Sequence, residues 1–261
     1  MSTTKKITSE TDNLLQSTKG PFFCGSSFTA ADIAWVPFLE RYAAQLPCLH
    51  SDLNPKDENT YPYLYRWYEA IQNQIPAYAC HVKGDSSSWR KVLGMAGYGN
   101  MGNVPFDIKE RMTKQNDKEV ELFLSPDDHA REMKLWMEYR VAREYLAESP
   151  SAEAAAIVFR NRNAIVTDIE KRVKFTKEWK EKLPLQKENG LDNAMRTLIY
   201  LLLQEGKSMD DILAIQDDID ISLLNDVGML AAFLDERMCV PRDMGEMSAA
   251  AIKRIATRLN Q

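Results

Sequence analysis

The sequence predicts an all-α protein in two parts, on three observations. Nearly every long segment carries apolar residues at helical spacing, and no stretch alternates convincingly between apolar and polar residues. Capping residues followed by proline or an acidic residue stand before several of these segments. A polar run beside Pro105 separates two groups of segments. We therefore expect a helical domain at 1–99, a linker at 100–124, and a helical extension or second helical domain at 125–261.

The first part is expected to contain four helical segments. The third of them repeats Tyr61, Leu64, Tyr68 and Ile71 on one helical face, the pattern of an amphipathic helix. The segments are 7–18, 29–46, 61–80 and 86–96.

The second part opens with two similar helix starts. Ser125 can cap a helix that has Pro126 at its first position, and Ser149 with Pro150 repeats that arrangement for a helix running to about 182. Asp127 and Asp128 suit the positive end of the first helix dipole. Further helices are predicted at 191–204, 209–216, 220–238 and 246–259.

Composition excludes several classes of protein. The formal charge of −5 and pI near 5.4 argue against a dedicated nucleic-acid binder. No apolar run is long enough to span a bilayer, and the first residues lack the apolar core of a secretory signal. The four scattered cysteines favour neither a disulfide scaffold nor a zinc site. We expect an intracellular, cytoplasmic protein, with an organelle left open because truncation would also remove a targeting peptide.

The segment GPFFCGSSFTAADIAWVPFLERY at 20–42 carries the most specific motif. Thr29 and Asp32 form a capping box, in which the Thr29 oxygen accepts the Asp32 N–H and the carboxylate accepts the Thr29 N–H. Phe28 and Ile33 occupy the positions of a hydrophobic staple. The following helix is apolar on nearly all sides, which predicts a buried helix. We assign these four residues structural roles, and we assign no catalytic residue.

This segment closely resembles the core helix of the glutathione S-transferase C-terminal domain. In that family a glycine-rich approach and an aromatic pair precede S/T-x-x-D at the start of a buried helix. The segment YPYLYRWYEAIQNQIPAYACHV at 61–82 resembles the helix that follows it. The resemblance covers about 8–95 and implies a helical bundle of the glutathione S-transferase C-terminal type.

The resemblance also implies what the chain is expected to lack. Family members begin with a thioredoxin-like domain that binds glutathione and activates its thiol, and no such pattern precedes residue 20. We therefore expect the substrate-pocket half of a glutathione-dependent transferase, without catalysis in this chain alone. The alternative is a non-catalytic protein–protein interaction module on the same fold. Glutathione enters only as a co-substrate if a thioredoxin-like domain is present elsewhere. The partners considered are that domain, a second copy of the chain, and a hydrophobic small molecule.

Other candidate sites have ordinary structural explanations. The GxGxxG pattern at 97–102 lacks the preceding strand and following helix of a dinucleotide site, so we interpret it as a loop. His129 and Glu132 lack the further ligands of a di-iron site, and the acidic run at 217–220 lacks the pattern of an EF-hand. Cys24 precedes a helix start, but the resemblance places the family's catalytic cysteine in the thioredoxin-like domain that we expect this chain to lack. We assign neither a metal nor a cofactor site.

Overall fold

The computed structural model describes residues 3–94, 104–123, 126–173, 189–204 and 221–260, with Trp179, Glu181 and Leu183. Within these residues the chain is helical, and extended pairing is limited to two isolated bridges at Phe22–Gly25 and Cys24–Ser27. The predicted all-α fold class is confirmed. The chain divides into two compact units, Met1–Leu122 and Phe123–Gln261. No described helix is long and apolar enough to cross a membrane.

The described residues of unit 1 form five α-helices and one π-helical turn. A loop at 18–29 joins the first helix to the second, and the π-helical turn Tyr78–Val82 follows the third. The helices are α1 (Thr3–Ser17), α2 (Ala30–Leu49), α3 (Pro62–Gln74), α4 (Ser86–Val92) and α5 (Phe106–Phe123), the last ending one residue beyond the unit.

Two expectations about unit 1 are wrong. The stretch 100–124, expected as a linker, contains α5, and Arg111 of that helix donates from Nε to the carbonyl of Cys48 at 2.7 Å. Its polar composition reflects an exposed helix with ion pairs one turn apart, such as Lys114–Glu110. The predicted helix 61–80 stops at Gln74, because Ile75 precedes Pro76 and adopts φ −119° and ψ 81°, outside the helical region.

The described residues of unit 2 contain five helices, and the last four of them supply its apolar core. Its second helix starts as the Ser-Pro pattern predicts, since Ser149 Oγ accepts the N–H of Ala152 at 3.0 Å. The core is rich in alanine and leucine, and Leu198, Leu230 and Ile252 are fully buried. The helices are α6 (Pro126–Arg140), α7 (Pro150–Val173), α8 (Gly190–Leu203), α9 (Ile221–Arg237) and α10 (Glu246–Leu259).

Several predicted features lie outside the described residues. These are the helix at 209–216, the GxGxxG pattern at 97–102, the acidic run at 217–220, the Ser125 cap, and most of the stretch between Val173 and Asn189.

Candidate functional site

The Asp32 carboxylate is the buried centre of the first unit. Its Oδ1 accepts the N–H of Phe23 at 3.0 Å and the indole Nε1–H of Trp67 at 2.9 Å. Its Oδ2 accepts the N–H of Thr29 at 2.9 Å and the Thr29 hydroxyl at 3.1 Å. Four donors from the loop, the helix start and α3 therefore converge on one carboxylate that is 0% exposed. Such a group holds three chain segments together and is sealed from any substrate.

The loop before α2 is fixed by a close backbone approach at Gly20. A Cβ on Gly20 would lie 2.2 Å from the carbonyl carbon of Gly25, so only glycine fits there. Phe22 and Gly25 exchange backbone hydrogen bonds of 3.0 and 3.1 Å, and Gly25 adopts φ +90°. This turn places Phe23 so that its amide reaches Asp32 and its ring lies 6.0 Å from that of Trp67.

The α2 helix is buried on one side only, contrary to the expectation of a helix buried all round. Its buried side includes two carboxylates, those of Asp32 and Glu40. Burial of both groups is tolerated because each accepts hydrogen bonds. Its opposite side is exposed: Ile33 is 60% exposed and Phe38 is 52% exposed. We define the α2 outer face as six exposed apolar residues, Ala30, Ile33, Ala34, Trp35, Pro37 and Phe38.

Glu40 is a buried group that hydrophobic patterning missed. Its carboxylate accepts the Tyr78 hydroxyl, the indole N–H of Trp89 at 3.2 Å and the N–H of Gly84. Burial raises the pKa of Tyr68 well above its ordinary value, and the charge of Glu40 raises it further. Tyr68 therefore stays protonated and donates to the carbonyl of Leu39 at 2.7 Å.

Asp12 is a second missed carboxylate, and it caps a helix that is distant in sequence. Its Oδ1 accepts the N–H groups of Tyr63 at 2.9 Å and Leu64 at 2.8 Å. These amides belong to the first turn of α3, where Pro62 occupies the first position. No local side chain caps α3, so α1 supplies the acceptor.

The remaining residues singled out in the sequence do not form one site. The ring of Phe28 packs edge to face on Phe22, while Ile33 belongs to the α2 outer face, so the predicted staple contact stays a prediction. Cys24 is exposed in the loop, and no disulfide joins any of the four cysteines. In unit 2, Glu132 pairs with Arg254 at 3.6 Å. The described residues contain no cluster of acidic, histidine or cysteine side chains that would hold a metal ion.

Unit 1 is thus an all-α domain whose helix α2 starts at a capping box and has an exposed apolar side. Residues 12–70 match the family model of the glutathione S-transferase C-terminal domain. The match includes the capping box and the first part of the second resemblance segment. No curated protein and no solved structure matches the chain.

Proposed function

We propose that the chain supplies the helical, substrate-pocket half of a glutathione-dependent transferase. The α2 outer face carries this proposal, because it places six exposed apolar residues on a helix within the segment that matches the glutathione S-transferase C-terminal domain model. In this proposal the face contacts a thioredoxin-like domain and lines a site for a hydrophobic electrophile. Contiguous exposed apolar surface of this kind marks protein or ligand contacts more often than free surface.

The chemistry of the reaction is assigned to the partner domain. The glutathione thiol has a pKa above neutrality and needs a nearby donor or positive charge to become a thiolate. Asp32 and Thr29 do not provide one, because the Asp32 carboxylate is fully buried and both residues are engaged in the helix start. We therefore propose no catalytic residue in this chain. A reducing, intracellular compartment suits its four cysteines, none of which is in a disulfide.

An interaction module is the second candidate, and the same outer face supports it. The α2 outer face carries no charged residue before Arg41. It could therefore contact the apolar surface of another protein as readily as the surface of a thioredoxin-like domain. The two candidates differ in whether the assembled complex binds glutathione.

Retention on immobilised glutathione distinguishes the candidates. The tagged chain is expressed in the cells that make it, and the extract is passed over the resin and eluted with free glutathione. We expect the wild-type chain to be retained from extract but the purified chain to pass through. The double variant Ile33→Ser with Phe38→Ser should lose retention. Phe106→Ser, an equally polar change at a site that is 83% exposed, should keep it.

Three results would contradict the proposal. Retention of the purified chain would place a glutathione site within it. Failure of the wild-type chain to be retained from extract, together with a stable complex in size-exclusion chromatography, would favour the interaction module. Equal retention of the double variant and Phe106→Ser would show that the α2 outer face is not the contact.

A further inference from the structure

Unit 2 contains a cavity that the proposed function does not use. Its volume is about 560 Å³, within the range of small-molecule sites. It lies between α7, α9, α10 and the segment joining α9 to α10. Its floor is continuous with the hydrophobic core of the unit and consists of buried apolar side chains, among them Val158, Phe233, Leu234, Met238, Met244 and Ile252.

The charged groups of the cavity form two bidentate ion pairs. Arg237 of α9 donates to Asp168 of α7 through Nε at 2.7 Å and through Nη2 at 3.2 Å. Arg242 donates to its neighbour Asp243 through the same two nitrogens, both at 2.9 Å. The Arg237 hydrogen bond holds the pKa of Asp168 below its ordinary value, so this carboxylate is ionised at neutral pH. Both pairs are among the residues that line the cavity.

The two ion pairs determine which class of ligand the cavity favours. Two guanidinium groups and two carboxylates cancel in formal charge, so the cavity offers no net attraction to an anion or a cation. Each guanidinium directs Nε and one Nη at its carboxylate, which leaves the N–H groups of the other Nη as donors. Carboxylate oxygens retain lone pairs that can accept. An uncharged head that donates or accepts hydrogen bonds fits these groups.

We propose that this cavity binds a small, uncharged amphipathic molecule, with its apolar body on the floor and its polar head at the two ion pairs. The two methionines of the floor suit such a ligand, because their flexible side chains adapt to irregular apolar shapes. The site lies within unit 2, so the proposal is independent of the α2 outer face.

A pair of fluorescent probes tests both parts of the proposal. N-Phenyl-1-naphthylamine is uncharged and has one N–H, while 8-anilinonaphthalene-1-sulfonate has the same aromatic framework with a negative charge. The full chain should bind the uncharged probe saturably at one site. It should bind the sulfonate about tenfold more weakly, because the paired guanidinium groups and carboxylates offer no net charge to offset partial removal of the sulfonate from water. Equal or tighter binding of the sulfonate would overturn the assignment of an uncharged head.

A matched pair of variants locates the site. Ala164 and Ala156 are both exposed residues of α7, but only Ala164 lines the cavity. Ala164→Trp should fill the cavity and weaken binding of the uncharged probe by about tenfold, whereas Ala156→Trp should leave it unchanged. The Ile33→Ser, Phe38→Ser double variant should also leave it unchanged, which separates this site from the α2 outer face. Equal affinities of the two tryptophan variants, or no saturable binding by the wild-type chain, would overturn the proposal.

Discussion

The two units differ in how they arrange apolar and charged side chains. In unit 1 the carboxylates of Asp12, Asp32 and Glu40 are buried and receive hydrogen bonds from other segments, while apolar side chains of α2 face outward. In unit 2 a large apolar cluster forms the core, Asp226 and Arg254 are the buried charged residues among those described, and the Asp168–Arg237 pair lines a cavity.

This difference indicates which interactions determine the fold of each unit. Directional hydrogen bonds to a buried carboxylate fix the relative positions of the loop, α2 and α3, whatever the outer side of α2 does. Unit 2 depends on close packing, where volume matters more than direction. An apolar helix face can therefore stay exposed in unit 1 without loss of the fold, which leaves it available for a contact.

Asp32→Ala should cause the largest loss of stability. It leaves four donors without an acceptor, three of them backbone or indole N–H groups, so we expect a loss of about 3–5 kcal/mol in the free energy of unfolding. Asp32→Asn keeps one acceptor oxygen and should lose less. Urea denaturation followed by circular dichroism measures both. Losses below about 1 kcal/mol for both variants would contradict the role of this carboxylate.

Leu230→Ala probes the packed core of unit 2 in the same assay. Leu230 is 0% exposed, and its truncation leaves a cavity among close-packed neighbours. We expect a loss of about 3 kcal/mol. Leu203→Ala is the control, because Leu203 is 56% exposed and its truncation should cost little. Similar losses for both variants would show that packing does not determine the stability of this unit.

A smaller loss is expected from Asp12→Ala, which removes the acceptor at the first turn of α3. Loss of a helix cap costs about 1–2 kcal/mol. Hydrogen exchange should show faster exchange for the amides of Tyr63 and Leu64, which donate to Asp12. Asn13→Ala, at an exposed neighbouring position, is the control. Unchanged exchange of both amides in the Asp12 variant would contradict the inter-helix cap.

The smallest effect concerns the Asp168–Arg237 pair and depends on pH. The Arg237 hydrogen bond lowers the pKa of Asp168 from its ordinary 3.8. A carboxylate with a lowered folded-state pKa contributes stability above its unfolded pKa and loses it as pH falls through the folded value. Wild type and Asp168→Asn should therefore differ by at most about 1 kcal/mol near neutrality, since the pair is partly exposed. That difference should shrink as pH falls below 3.8. A difference that grows in acid would contradict this sign.

Local signals predicted the fold well. The Ser149–Pro150 start of α7 and the Thr29 start of α2 each lie in a few adjacent residues, so the sequence reveals them. The Asp12 cap was not predictable in the same way, because it joins residues 51 and 52 positions apart. The exposed side of α2 was missed for a related reason. Hydrophobic patterning assigns apolar residues to the interior and carboxylates to the surface, but Asp32 and Glu40 are buried because their hydrogen-bond partners are distant in sequence. The cavity of unit 2 likewise depends on three helices that meet only in the fold.

The central claim is that the α2 outer face contacts a thioredoxin-like domain. Photocrosslinking tests it most directly, with p-benzoylphenylalanine placed at Phe38 and, as the control, at the exposed Phe106 of α5. The chain is irradiated in the cells that make it, and the crosslinked peptide is identified by mass spectrometry. The account predicts a crosslink from position 38 into a thioredoxin-like domain and none from position 106. A crosslink from position 38 only into proteins of another fold, or no crosslink there at all, would contradict it.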